Sequence, residues 1–169
     1  MSGLYKKILV PLDGSELAAQ ALAHAEEIAH NAGAKLVLLR VLENPLRFLT
    51  ALPSMGGQGI GVGAGAGAMS VVALTRDDAA RRQALDEAKQ GLDEVAGSLQ
   101  HRKVETETEI DIGDPASMIV DYAAAHDVDL IVMSTHGRTG IKRWAYGSVA
   151  NKVLQAAPCA VFVVRPNIN

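Results

Sequence analysis

A chain of 169 residues with a net charge of −3, 49% apolar and 21% charged, has the make-up of one globular domain with a single good core. No global basic field draws nucleic acid or an anionic membrane, and at 4% aromatic residues there is no series of rings for bases to stack on. The single cysteine, Cys159, excludes an internal disulfide and a cysteine zinc cluster, and reads as a small buried hydrophobe. The N-terminus lacks the apolar core of a signal peptide, and no uninterrupted apolar run reaches membrane-spanning length, so a cytoplasmic location is expected.

Taken in order, Ile8-Leu9-Val10-Pro11-Leu12 is a short apolar run stopped by Asp13-Gly14-Ser15, the pattern of a buried strand and a turn. Ser15 is a fitting N-cap for a helix whose apolar positions, Ala18, Ala21, Leu22, Ala25, Ile28 and Ala29, recur at helical spacing. Gly33 stands where a helix-ending glycine is expected, and residues 35–42 form a second buried strand. Residues 44–75 are expected to be a flexible, Gly-rich loop inside a single domain spanning 1–169, because neither flank alone completes a core. Thr75-Arg76-Asp77-Asp78 then resembles a capping box, with a helix behind it.

Residues 104–112 alternate Val104, Thr106, Thr108, Ile110 and Ile112 with Glu105, Glu107, Glu109 and Asp111. Period two with one charged face marks a strand near a sheet edge, the acidic row being solvated. Asp114-Pro115 starts a helix to about His126, residues 128–133 form a near-continuous apolar strand, and a last helix near Ser148 leads to the final strand 158–164. Strands and helices thus alternate, five and four, which predicts a doubly wound, Rossmann-like α/β domain with a parallel sheet of order 3-2-1-4-5. Ligands bind beyond the carboxyl ends of strands at the switch point of such a sheet. The two ends that meet there are Asp13 and the loop starting at Ser134.

That loop, Ser134-Thr135-His136-Gly137-Arg138-Thr139-Gly140, is followed by Gly147-Ser148 at a fresh helix start. Glycines, hydroxyls and the unpaired N–H groups of a helix N-terminus together make an anion cradle. Arg138, Lys142 and Arg143 bring cations to it, and His136 adds a polar group with no orienting carboxylate nearby in sequence.

These residues carry a resemblance to the ATP-binding universal stress proteins, over essentially the whole chain. The family's nucleotide motif is Gly-x2-Gly-x9-Gly-Ser/Thr; Gly137, Gly147 and Ser148 match its second and third glycines and its hydroxyl, while Ser134 replaces the first glycine. The resemblance implies an adenine contact from Asp13 and a base pocket of Pro11, Leu12, Val41 and Met133. It further implies that Ser134, Gly137, Gly147, Ser148 and Val149 hold ribose and phosphates, beside which His136 and Arg138 stand as further candidate phosphate contacts by their own chemistry. The implied ligand is ATP, with Mg2+ or Mn2+ held mainly by the phosphates. The implied role is a stress-response regulatory switch or a chaperone-like module passing its state to a further protein.

No Walker pair, kinase catalytic loop or second acidic ligand stands near the loop, so no catalytic residue and no protein-held metal is assigned, and at most slow ATP hydrolysis is expected. Two alternatives are a slow ATPase or autophosphorylating enzyme, and a protein-interaction module without nucleotide. The last strand, Val161-Phe162-Val163-Val164, is an apolar edge that a homodimer would cover, as the resemblance also implies.

Overall fold

The computed structural model describes residues 4–43, 66–135 and 147–165, with side chains outside the description over 66–77. In chain order the elements are β1 (Lys7–Pro11), α1 (Glu16–Ala32), β2 (Lys35–Leu42), α2 (Ala66–His101), β3 (Thr106–Ile112), α3 (Pro115–Ala125), β4 (Leu130–Ser134), α4 (Ser148–Ala156) and β5 (Ala160–Val164). The five strands form one sheet of order β3-β2-β1-β4-β5, with all pairings parallel, as the alternation of elements predicts.

Strand alternation sends side chains to two faces, and helices cover both. Ile8, Val10, Leu36 and Leu38 face α1 and α2, in a cluster with Ala21, Ala25, Leu92 and Leu99. Leu9, Val37, Leu39 and Ile131 face α3 and α4, in a cluster with Ile119, Ala123, Ala150 and Val153. The buried stripe of α1 is all alanine, Ala18, Ala21, Ala25 and Ala29, so its backbone can lie close to the sheet. β3 and β5 are the two edges, and the acidic side chains of Glu105, Glu107 and Glu109 are exposed at the first.

The helix ends follow the capping chemistry read from sequence. Ser15 Oγ accepts from Ala18 N at 3.2 Å, and Gly33 closes α1 in the left-handed region at φ 65°, where a Cβ is disfavoured. Asp114 accepts from Ser117 N at 3.2 Å ahead of Pro115. One boundary differs. α2 begins at Ala66, so the expected loop 44–75 overruns the helix, and Thr75 lies within it rather than at its start. Apart from Gly67, residues 66–74 contain alanine, methionine, leucine and other residues that a helix accepts, and this propensity outweighs the capping signal at Thr75. The remainder of that segment, 44–65, lies outside the described residues.

Asp129 ties the amino ends of the two central strands. Its Oδ2 accepts from Lys6 N at 2.8 Å and from Lys7 N at 2.9 Å. These two backbone donors hold its carboxyl below the ordinary aspartate range. A carboxyl depressed in the folded state adds stability above its unfolded pKa and loses it as pH falls through the folded value. Asp129→Asn is therefore expected to leave a shallower loss of stability between about pH 4 and the acid limb below it. Urea midpoints measured across that range check this, and parallel curves for the two proteins would contradict it.

Candidate functional site at the switch point

β1 lies between β2 and β4, with Ile8 opposite Leu130 and Leu9 opposite Ile131. Chain connections leave β1 and β4 in opposite directions across the sheet, which opens a crevice at their carboxyl ends. On the β1 side the chain continues past Pro11 with Leu12 N donating to Leu39 O at 2.8 Å. Asp13 then makes an Asx turn, its Oδ1 accepting from Ser15 N at 2.9 Å, and leads directly into α1. Gly14 sits at φ 80°, a left-handed conformation that favours glycine, and a Cβ there would press on the tip of the Arg40 side chain. The exposed carboxylate of Asp13 is thus held at the edge of the crevice by a turn that its own sequence dictates.

On the β4 side, Met133 is buried in the cluster beneath α3 and α4, and Ser134 ends the strand opposite Val164. Thr135 N donates to Val164 O at 3.1 Å, and Thr135 is the one buried polar residue among those described. The chain returns at Gly147, which caps α4 at φ −56° and ψ 156° with no side-chain hydrogen bond. Ser148 is the first helical residue, and the extended geometry that a cap requires falls on Gly147. Glycine has no side chain with which to cap the first N–H groups of α4, and the positive end of the helix dipole lies there.

Val41, Met133 and Val149 all belong to or pack on the α3 and α4 side of the sheet, and Pro11, two residues beyond Leu9, lies on that face by alternation. Leu12 does not join them. Its side chain is in the cluster on the α1 and α2 side, because one residue along a strand reverses the face. The structure therefore brings Pro11, Val41, Met133 and Val149 to one face, with Asp13, Ser134, Gly147 and Ser148 at the strand and helix ends above. His136, Gly137 and Arg138, with Lys142 and Arg143, lie outside the described residues.

Arg40 is missing from the expected set. It is the one charged residue inside the run Leu36-Val37-Leu38-Leu39-Arg40-Val41-Leu42, and its Nη1 donates to Leu12 O at 3.2 Å, bracing the Asp13 turn from behind. A lone charge inside an apolar strand was the available signal.

This is a doubly wound α/β domain with its switch point at the carboxyl ends of β1 and β4. Residues 4–58 and 64–165 match the model of the universal stress protein family, and the chain belongs to that family. Universal stress protein MJ0531 of Methanocaldococcus jannaschii is 33% identical over 162 residues, covering 96% of this chain and 83% of that protein. Among solved structures, protein MJ0577 aligns with a TM-score of 0.74 at 26% identity, covering 98% of this chain and 99% of that one. UspA from Lactobacillus plantarum aligns at 0.63 with 32% identity, covering 95% and 98%. Two more distant family structures, at 18% and 22% identity, share the fold; they are complexes with cAMP and, for the Archaeoglobus fulgidus protein, with dAMP.

Proposed function

We propose that this chain is an ATP-binding universal stress protein, acting as a regulatory switch or chaperone-like module rather than as a fast enzyme. The observation that carries the reading is the start of α4. Gly147 caps it without a side-chain hydrogen bond, at the strand ends where a doubly wound sheet takes its ligands. A phosphate group is the natural acceptor for N–H groups in that position. Pro11, Val41 and Met133 supply an apolar wall for a base, and the Asp13 carboxylate, with several acceptor sites, suits the exocyclic amino group of adenine. Ser134 and Ser148 offer hydroxyls to ribose or phosphate. In this reading the Mg2+ or Mn2+ ion belongs to the phosphates. The cAMP and dAMP complexes of distant relatives agree with an adenine nucleotide as ligand.

Calorimetric titration tests the base preference. ATP with magnesium is expected to bind at one site per chain, and GTP about tenfold more weakly or worse, because its O6 presents an acceptor to the Asp13 carboxylate. Asp13→Ala is expected to remove that preference. Equal binding of the two nucleotides by the unaltered protein would contradict the adenine assignment.

The same reading includes a homodimer through β5. Phe162 on this edge strand is 42% exposed, and unpaired apolar edges invite strand pairing. Light scattering at micromolar concentration is expected to give twice the chain mass, and Phe162→Asp to return the mass to that of one chain. A single-chain mass for the unaltered protein would contradict the dimer.

A further inference from the structure

A second hollow lies on the other side of the sheet, between α1, α2 and the carboxyl end of β2. Its volume is about 390 Å³, within the range of small-molecule sites. Ala18 and Leu22 of α1, Leu42 of β2, and Ala88 and Gly91 of α2 line it, so its walls are apolar and its helices present small side chains. Arg40 is the cation among these walls. Its Nη1 is engaged by Leu12 O, but its Nε is buried and has no hydrogen-bond partner. A buried donor on a charged group without an acceptor is rare and unfavourable, and Arg40 itself borders the hollow, where an anionic group would meet its positive charge. Glu87 also borders the hollow, but it is exposed at the rim, where its Oε1 accepts from Gln83 Nε2 at 2.8 Å.

We propose that this hollow binds a small amphipathic carboxylate, its aliphatic or aryl body between α1 and α2 and its carboxylate on Arg40. One guanidinium among apolar walls suits a single carboxylate on a hydrophobic body. A phosphate group would ask for more donors than these walls supply. The ligand differs in chemistry from a nucleotide, and the hollow lies on the opposite face from Val41 and Met133.

Amide NMR titration with octanoate, and with octan-1-ol as the neutral comparator, tests this. Saturable shifts are expected within residues 12–22 and 84–95, with octanoate bound more tightly than octan-1-ol. Arg40→Met, which keeps the aliphatic stem, is expected to weaken octanoate about tenfold or more and to leave octan-1-ol unchanged. A Cβ at Gly91 would meet no atom within 4 Å, and Gly91 lines the hollow, so Gly91→Leu is expected to fold while blocking both compounds. The proposal is overturned if octanoate gives no saturable shift, if octan-1-ol binds as tightly, or if Gly91→Leu keeps full affinity. Should Arg40→Met fail to fold, the comparison of the two compounds and the Gly91→Leu result decide.

Discussion

Gly147→Asp is expected to weaken ATP binding about a hundredfold or more while leaving the protein as stable as before, or slightly more so. Gly147 has φ −56° and ψ 156°, a conformation open to any residue, and the position is the N-cap of α4. Aspartate is among the best N-caps. Its carboxylate would accept from the N–H of Val149 or Ala150, the groups that a phosphate would otherwise meet. It would also set a negative charge against the triphosphate, and like charges brought together in a binding site cost several kcal/mol. The two effects have opposite signs for folding and for binding, which separates a ligand site from a merely structural helix end. Thermal unfolding together with calorimetric titration reads both. Retained ATP affinity in a fully folded Gly147→Asp protein would remove the start of α4 from the site.

The largest expected loss of stability lies in the centre of the sheet. Leu38 on β2 is fully buried between β1 and β3, in the cluster that joins both strands to α1 and α2. Leu38→Ala removes that contact and leaves a cavity in a densely packed region, at about 2–5 kcal/mol. Leu154→Ala, at a residue 39% exposed on α4, is expected to stay within about 0.5 kcal/mol of the unaltered protein. Urea unfolding checks the pair. The Leu38→Ala midpoint should fall steeply with an unchanged slope, and similar midpoints for the two variants would contradict the assignment of the core.

Much of this architecture was legible because local signals and the global fold agree. Near-continuous apolar strands, a cap at Ser15, a terminator at Gly33 and the Asp114-Pro115 start each encode one boundary, and their alternation encodes the parallel sheet. The start of α2 was not legible, since the glycine run just ahead of it and Gly67 within it hide the helix propensity of the alanines, Met69 and Leu74. Two details of the site were also hidden. Leu12 lies one residue past β1 and so faces away from Met133, a matter of parity that composition does not carry. Gly147 rather than Ser148 holds the cap, because cap position is set by backbone angles and not by which neighbour has a hydroxyl. Arg40 shows the limit most clearly. Its charge within an apolar run marks it in the sequence, but only the fold reveals that it braces the Leu12 carbonyl from one side and borders a hollow on the other.

In the function proposed above, the edge formed by Asp13 and the start of α4 binds an adenine nucleotide. Mass spectrometry of the small molecules released on denaturing the purified protein tests it most directly, with ATP and magnesium added back to the emptied protein. The expected result is ATP or another adenine nucleotide in the released fraction, or saturable binding of the added ATP. Release of no nucleotide, together with no binding of added ATP, would contradict it.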